Sequence, residues 1–210
     1  NSLFSCGIER ILINTHYHEK IVLSFLDKSD YKDRVDTISE PELLGTAGTV
    51  GNNLDYFAGE SFLMAHADNF CICDFNEFIM AHKVRPSGTI MTMMSFNAPN
   101  PEQCGVIEID ENQVVQKFFE KLENPPFDLA NAAVYILENE VGQFCRTLAN
   151  VGPDISLDVV PNYLGRIFAW QNTLYHIDIG TPESYTAANE KVIELSSIIK
   201  GLGWFNSGTP

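Results

Sequence analysis

Three short segments of the sequence carry residue types that suit phosphate or metal chemistry. The first is the turn Leu44–Thr49, which contains Gly45 and Gly48 and leads into a helical pattern. Glycines in such a turn let backbone N–H groups approach a phosphate or a base without interference from a Cβ atom. Many loops carry two glycines, however, so an ordinary helix start is the favoured interpretation of this turn taken alone.

The other two segments place an aspartate at the end of an apolar run. Asp68 follows Ser61–Met64, and Asp178 follows Leu174–Ile177. Carboxylates at strand ends lie where open α/β sheets bind their ligands, and two of them in one cleft can hold Mg²⁺ through oxygen. An Asp/Asn turn or helix cap is an equally favoured interpretation at Asp68, and Asp178 also suits a cap of the following helix.

The composition is that of an ordinary globular chain. Of the 210 residues, 45% are apolar and 20% are charged, which suits one domain with a real core. We expect a single domain over residues 1–200 and a tail over residues 201–210. No apolar run approaches the roughly 18 residues that span a bilayer, and no signal peptide opens the sequence. The five scattered cysteines favour reduced thiols and a cytoplasmic location.

The charge balance excludes one class of partner. A formal net charge of −15 makes a nucleic acid polymer an improbable ligand, because phosphate backbones are bound by basic surfaces. Small anionic substrates would also be repelled at long range. Their binding would require local lysines, backbone N–H groups and a divalent cation.

Short β-rich runs alternate with amphipathic helical runs along the chain. The predicted strands are Ile8–Asn14, Val35–Ser39, Ser61–Ala65, Thr89–Phe96, Ala132–Leu137, Ile167–Trp170 and Leu174–Ile177. The predicted helices are Glu19–Leu26, Gly45–Phe57, Phe75–His82, Val141–Ala149, Leu157–Leu164 and Pro182–Lys200. The alternation predicts a Rossmann-like α/β fold with a mainly parallel, mixed sheet and helices on both faces. A hairpin of Val106–Ile109 and Val114–Phe119 predicts a small antiparallel insertion.

In its order of motifs the chain resembles the sugar-phosphate nucleotidyltransferase family, most closely its mannose-1-phosphate guanylyltransferase-like members. The resemblance runs from about Ile8 to about Asn189. The matching stretches are Glu42–Gly48, His66–Asn69, Cys104–Val106, Phe119–Lys121, Asn131–Tyr135 and Asp178–Thr181. Each motif is modest, but six in the right order are hard to obtain by chance. The resemblance implies a fold of the nucleotide-diphospho-sugar transferase type.

The resemblance also implies roles for individual residues. Asp68 and Asp178 correspond to the family's metal-binding acids, which hold Mg²⁺ between the nucleotide phosphates and the sugar phosphate. Lys121 corresponds to the lysine that neutralises the sugar phosphate. Such transfer depends on positioning and charge stabilisation, for which a cation, a lysine and backbone donors suffice.

Five further residues correspond to substrate contacts in the family. Glu120 corresponds to the acid that binds sugar hydroxyls, Gly105 to the glycine that lets the sugar approach the backbone, and Asn131 to a sugar contact. Leu44 and Gly45 correspond to residues that line the base pocket.

The function implied is that of an enzyme joining an NTP, with GTP preferred, to a sugar 1-phosphate such as mannose 1-phosphate or a similar hexose or heptose. The alternative is a non-catalytic module of the same fold that binds nucleotide sugars. A metal-dependent glycosyltransferase ranks last, because it would call for an Asp-x-Asp and here Asn69 and Phe70 follow Asp68. The oligomeric state stays open between a monomer and a homodimer.

The sequence departs from the family in three places. Leu122 follows the Glu-Lys pair where proline is usual, and Ala67 stands where glycine is common. The family's first strand, glycine-rich signature loop and Pro-Lys pair have no match. We therefore expect the sequence to begin partway through the protein, or the missing piece to be disordered or supplied by another chain. These residues alone are expected not to turn over.

Overall fold

The computed structural model describes residues 2–148 and 152–204. Its strands are β1 (Ile11–Thr15), β2 (Val35–Ser39), β3 (Phe62–Ala65), β4 (Asn69–Ile72), β5 (Met91–Asn97), β6 (Gly105–Ile109), β7 (Val115–Glu120), β8 (Leu129–Leu137), β9 (Ile167–Gln171) and β10 (Tyr175–Asp178). Its α-helices are α1 (Ser2–Ser5), α2 (Glu19–Asp27), α3 (Thr46–Asn52), α4 (Phe75–Lys83), α5 (Asn139–Thr147), α6 (Pro182–Glu194) and α7 (Ser196–Gly201).

A six-stranded sheet forms the centre of the fold. Its strands run in the order β7-β6-β8-β5-β9, with β3 also paired to β8. The pair β5–β9 is parallel, whereas β8 is antiparallel to β5, β6 and β3. Two small sheets accompany it, the parallel pair β1–β2 and the antiparallel pair β4–β10. The predicted α/β fold with a mixed sheet is confirmed, and so is the antiparallel hairpin of β6 and β7. The expectation that the sheet is mainly parallel is wrong for the described residues, because β8 lies antiparallel to its three neighbours and β5–β9 is the one parallel pair of the central sheet.

Helices cover both faces of this sheet, as predicted, because side chains on successive strand positions point to opposite faces. On β8, Tyr135 and Leu137 pack with residues of α3 and α5 in one core cluster. Val134 and Ile136 pack with Phe78 of α4 in the other. The methionines of β5 divide between the two clusters and are core residues.

Three predicted helices differ in the structure. The pattern over Gly45–Phe57 predicted one helix, but the chain forms α3 and a separate 3₁₀ turn over Leu54–Phe57. The pattern over Pro182–Lys200 predicted one helix, but the chain forms α6 and α7 with Leu195 between them, and this break lets Ile199 be buried at 1% exposure. The pattern over Leu157–Leu164 predicted an α-helix. The chain instead forms a π-helical turn over Ile155–Val159 and a 3₁₀ turn over Val160–Tyr163, in which Pro161 supplies no N–H for an α-helical bond.

α6 begins with a side-chain cap at Thr181. Thr181 accepts a hydrogen bond from the Ser184 N–H, and the Ser184 hydroxyl completes a capping box. Asp178 is therefore not the cap of this helix. β4 is the one strand among the described residues that the sequence pattern did not predict.

The chain ends are only partly described. Trp204 packs against the α4 side of the core, whereas Asn1, Ala149 and Phe205–Pro210 lie outside the described residues. The division into a domain and a tail therefore stays a prediction. Within the described ranges no helix is long and apolar enough to cross a membrane.

Candidate functional site

A gap along one edge of β8 forms the centre of the candidate site. β5 occupies one edge of β8, so β3 and β6 share the other edge, with Ala65 opposite Val134 and Val106 opposite Ala130. Between these two contacts β8 bulges, because residues 132–134 of β8 oppose Met94 alone on β5. The bulge brings Ala133 to a φ of 51° and leaves Asn131 beside the gap.

Asp68 and Asp178 lie next to each other at one end of the β4–β10 pair. Asp178 ends β10 opposite Asn69, the first residue of β4, and the Ile179 N–H donates to the Asp68 carbonyl oxygen at 2.8 Å. Both aspartates are exposed. The Asp178 carboxylate accepts from the Gly180 N–H at 2.6 Å. The two acids expected to bind a metal are thus brought together by strand pairing.

Asn69 links the segment that carries Asp68 to the bulge of β8 through a hydrogen bond. Its side-chain amide donates to the carbonyl oxygen of Ala132 at 2.8 Å. The Asn131 Oδ1 accepts from the Ala133 N–H at 2.9 Å and thereby closes the bulge. The position of Asn131 and that of the aspartates are therefore linked through a single side chain.

Glu120 and Lys121 stand at the end of the β6–β7 hairpin. Gly105 is opposite Glu120, and the Lys121 N–H donates to the Cys104 carbonyl oxygen at 3.2 Å. A Cβ atom at Gly105 would lie 2.6 Å from Phe118 Cζ and 2.8 Å from Glu120 Oε2. Any larger residue here would therefore force the side chains of Phe118 and Glu120 to shift. Lys121 has a φ of 48°, a left-handed conformation that ends the strand.

The charges of these segments act on one another. Partial burial raises the pKa of the Glu120 carboxyl above its ordinary 4.5, Lys121 opposes this shift and Asp154 adds to it. Burial also raises the pKa of the Cys104 thiol, and Glu120, Glu102 and Asp178 raise it further while Lys121 lowers it. The hairpin end, the acid pair and Asp154 therefore share one electrostatic environment.

The predicted base-pocket turn rests on the loop that begins at Gly152. Gly45 has a φ of 76°, and a Cβ atom there would overlap the Gly152 backbone and lie 2.5 Å from the Pro153 carbonyl oxygen. The Ala47 N–H donates to that same oxygen at 2.9 Å. The sequence analysis predicted that Gly45 lines a pocket for the base. In the structure its open side faces protein backbone, and Leu44 is half-buried beside it.

Sequence reasoning missed Glu40, a buried acid that shapes this turn. Glu40 is 3% exposed, and its carboxylate accepts from the Thr49 hydroxyl at 2.6 Å and from the Leu44 N–H at 3.4 Å. No motif signals this role, because the contacts join residues four and nine positions apart across a loop.

Asp154 is a second residue of this region that the sequence analysis did not assign to the site. It caps the turn that follows it, since its Oδ1 accepts from the N–H groups of Ser156 and Leu157. Its Oδ2 also accepts from the Thr46 hydroxyl at 2.9 Å, 108 positions away in sequence. An Asp-x-Ser pattern signals the cap but not this distant partner.

The carboxylates suit a cation that is shared with a substrate. In the described part of the chain no group of three or more His, Cys, Asp or Glu side chains could hold a metal ion alone. Mg²⁺ is commonly bound by one or two carboxylates together with substrate phosphates and water. The pair Asp68 and Asp178 fits that donor set.

Comparisons with known proteins identify sequences that are similar to this chain. A family model described as Nucleotidyl transferase matches residues 1–194. A mannose-1-phosphate guanylyltransferase from Mycobacterium tuberculosis is 24% identical over 194 residues, which are 90% of this chain and 53% of the relative. A glucose-1-phosphate adenylyltransferase from Lachnospira eligens is 27% identical over 162 residues, which are 73% of this chain and 38% of the relative. The chain thus spans about half the length, or less, of these curated relatives.

Solved structures give the same result for the fold. HddC from Yersinia pseudotuberculosis matches with a TM-score of 0.76 at 26% identity, over 90% of this chain and 81% of that one. HddC complexed with GMP-PN matches with a TM-score of 0.74 at the same identity and coverage. The fold expected from the resemblance, the nucleotide-diphospho-sugar transferase type, is confirmed.

Proposed function

The chain belongs to the nucleotidyl transferase family, and on that premise we propose that its full-length gene product joins a nucleotide to a sugar 1-phosphate and releases pyrophosphate. The observation that carries the proposal is the backbone bond from the Ile179 N–H to the Asp68 carbonyl oxygen, which brings Asp68 and Asp178 to the same end of the β4–β10 pair. Both side chains are exposed there, and carboxylate oxygens suit Mg²⁺ that is shared with substrate phosphates.

In the proposed reaction a phosphate oxygen of the sugar 1-phosphate attacks the α-phosphorus of the NTP in line and expels pyrophosphate. The protein has little covalent chemistry to perform, so its residues act by orientation and by charge. Lys121 neutralises the sugar phosphate as the two anions approach. Its backbone, held on Cys104, directs the side chain from the end of β7.

We propose Mg²⁺ as the cofactor, held by the carboxylates of Asp68 and Asp178. When bound it would supply positive charge that stabilises the transferring phosphate. The field of a chain with a formal charge of −15 makes such a cation necessary for two anionic substrates to meet.

The sugar would lie over the gap in the β8 edge. Ionised Glu120 would accept hydrogen bonds from sugar hydroxyls, Asn131 would contact the ring, and Gly105 would allow close approach on the β6 side. The base would bind against Leu44 and the backbone of Gly45, on the side away from Gly152 and Pro153, because these residues already fill the space that a Cβ atom of Gly45 would occupy. Glu40 and the loop at Pro153 fix the position of this turn.

We propose GTP and mannose 1-phosphate, or a similar hexose or heptose 1-phosphate, as the substrates. The name of the Mycobacterium tuberculosis relative and the GMP-PN complex of HddC support guanine. A cytoplasmic location is supported by the five cysteines, which are all free thiols. The test is Mg²⁺-dependent pyrophosphate release by the full-length gene product, and absence of release with every substrate pair would contradict the proposal.

A further inference from the structure

One hydroxyl group joins the base-pocket turn to the loop on the sugar side of the site. The Thr46 hydroxyl donates to Asp154 Oδ2 at 2.9 Å and accepts from the Ile155 N–H at 2.8 Å. Thr46 follows Gly45 directly in the chain and is half-buried. Both hydrogen-bonding functions of this hydroxyl are therefore used by the opposite loop.

The contacts continue from Asp154 to the predicted sugar contact. Asp154 Oδ1 accepts from the Ser156 N–H at 2.7 Å. The Ser156 hydroxyl lies 3.2 Å from the Tyr135 hydroxyl and 3.3 Å from the Asn131 side-chain amide. That amide also donates to the Tyr135 hydroxyl at 2.6 Å. A continuous series of hydrogen bonds thus connects Thr46 with Asn131.

The far end of this series is anchored in the core. Tyr135 is fully buried, and burial raises its pKa to about 12, so its hydroxyl stays protonated. The Asn131 amide therefore bonds both to a side chain that the core encloses and to Ser156, on the turn that Asp154 caps.

We propose that Thr46 and Asp154 are a positioning pair that couples nucleotide binding to sugar 1-phosphate binding. The inference rests on the proposed function. A ligand that contacts Asn131 orders Ser156 and Asp154, and Asp154 then holds Thr46 and the turn beside it in the conformation that receives the base. The two loops lose conformational freedom when the first ligand binds. The second ligand then binds more tightly, because the loops are already ordered.

The chain offers a clean way to remove this coupling. Thr46→Val deletes the hydroxyl with little change of shape, while Asp154 keeps its cap and the Ala47 N–H keeps its bond to the Pro153 carbonyl oxygen. The two loops thus stay in contact. Thr46→Ser keeps the hydroxyl, and Ser156→Ala cuts the series nearer the sugar. Thr186→Val is a matched control on α6, where the hydroxyl bonds only to the Pro182 carbonyl oxygen of its own helix.

The experiment measures the Kd of a GTP analogue whose α,β-phosphate bridge cannot be cleaved, with and without mannose 1-phosphate, using the full-length gene product. Coupled sites typically change each other's affinity by about 5-fold to 150-fold, and the change is reciprocal. We expect a factor in this range for the wild type, Thr46→Ser and Thr186→Val, and a factor near one for Thr46→Val and Ser156→Ala. Amide exchange gives a second readout, in which mannose 1-phosphate alone protects residues 44–48 in the wild type but not in Thr46→Val.

The outcomes separate this inference from the proposed function. If the wild type turns over both substrates yet binds them independently, or if folded Thr46→Val keeps the wild-type factor and protection, the coupling is overturned and the activity stands. If the wild type binds neither ligand and releases no pyrophosphate, both proposals fail. If Thr46→Val unfolds at a lower temperature than the wild type, the Kd values of Ser156→Ala and the amide exchange of the wild type still test the coupling.

Discussion

The backbone N–H of Ile179 donates to the carbonyl oxygen of Asp68 at 2.8 Å. This bond extends the antiparallel pair of β4 and β10 by one step and sets Asp178 beside Asp68, although the two acids are far apart in sequence. Strand pairing thus builds an acid pair from two segments that each carry a single carboxylate. The proposed nucleotidyl transfer depends on these two acids.

Replacing one of these acids tests whether they bind a catalytic cation. We expect Asp178→Asn to lower Mg²⁺-dependent turnover by about 100-fold or more, since a metal ion at a transferring phosphate is worth several kcal/mol. Product binding should persist, because the base and sugar contacts remain. Asp27→Asn, an exposed change on α2, is the control and should leave turnover unchanged. Unaltered Mg²⁺ dependence in Asp178→Asn would argue for a non-catalytic module.

Two lysines of one hairpin allow a matched test of Lys121. Lys121→Gln removes the charge proposed to meet the sugar phosphate and should raise the KM for sugar 1-phosphate by about 10-fold to 100-fold, the worth of a charged hydrogen bond. Lys117 forms an exposed ion pair with Glu108 at 3.0 Å, so Lys117→Gln should change little. Equal effects of the two substitutions in steady-state kinetics would refute a specific role for Lys121.

Glu120 predicts a pH dependence of sugar binding. Because partial burial raises its pKa above 4.5, the carboxylate becomes protonated as the pH falls through that raised value and loses its charge as an acceptor. The KM for sugar 1-phosphate should then rise in the wild type, relative to Glu120→Gln, which lacks this titration. A parallel pH profile in the two proteins would show that Glu120 does not bind the sugar.

The same shift has a consequence for stability. The folded state holds the Glu120 proton more tightly than the unfolded chain does, so the free energy of unfolding falls as the pH rises from 4.5 through the raised pKa. Glu120→Gln should remove this part of the pH dependence. Urea unfolding across that interval measures it, and an unchanged slope would contradict the assignment.

Two glycines with similar positive φ values test the packing of the base-pocket turn, where Gly45 also has a ψ of 162° that is essentially confined to glycine. Gly59→Ala at a φ of 84° meets no atom within 4 Å and should cost only the left-handed strain, about 1 kcal/mol. Gly45→Ala at a φ of 76° also meets the Gly152 and Pro153 backbone, which should add about 1–3 kcal/mol and weaken NTP binding. Thermal unfolding compares the two. If the two substitutions lower the stability equally, the loop at Pro153 must move to accommodate the added methyl group.

The sequence predicted individual strands and helices better than their arrangement. Hydrophobic patterning locates β8, but the pattern carries no information on its antiparallel neighbours or on its bulge at Ala133, since these depend on contacts with β3, β5 and β6. The pattern over Pro182–Lys200 did not predict the break between α6 and α7. The pattern over Leu157–Leu164 did not predict the effect of Pro161.

For the candidate site too, the sequence predicted individual residues better than their contacts. Motif order predicted Asp68, Asp178 and Lys121, and the structure brings the two aspartates together. Glu40 and the bond between Thr46 and Asp154 were not predictable, because each depends on which loops meet in space. A buried acid next to a glycine turn gives no local signal of its partner.

The most direct test of the account is pyrophosphate release by the full-length gene product, measured with Mg²⁺ over all four NTPs and a set of sugar 1-phosphates. The account predicts release with GTP and mannose 1-phosphate, or with a closely similar hexose or heptose 1-phosphate, and none without the metal. No release from the folded protein with any pair would contradict the enzyme and favour a module that binds nucleotide sugars without turnover.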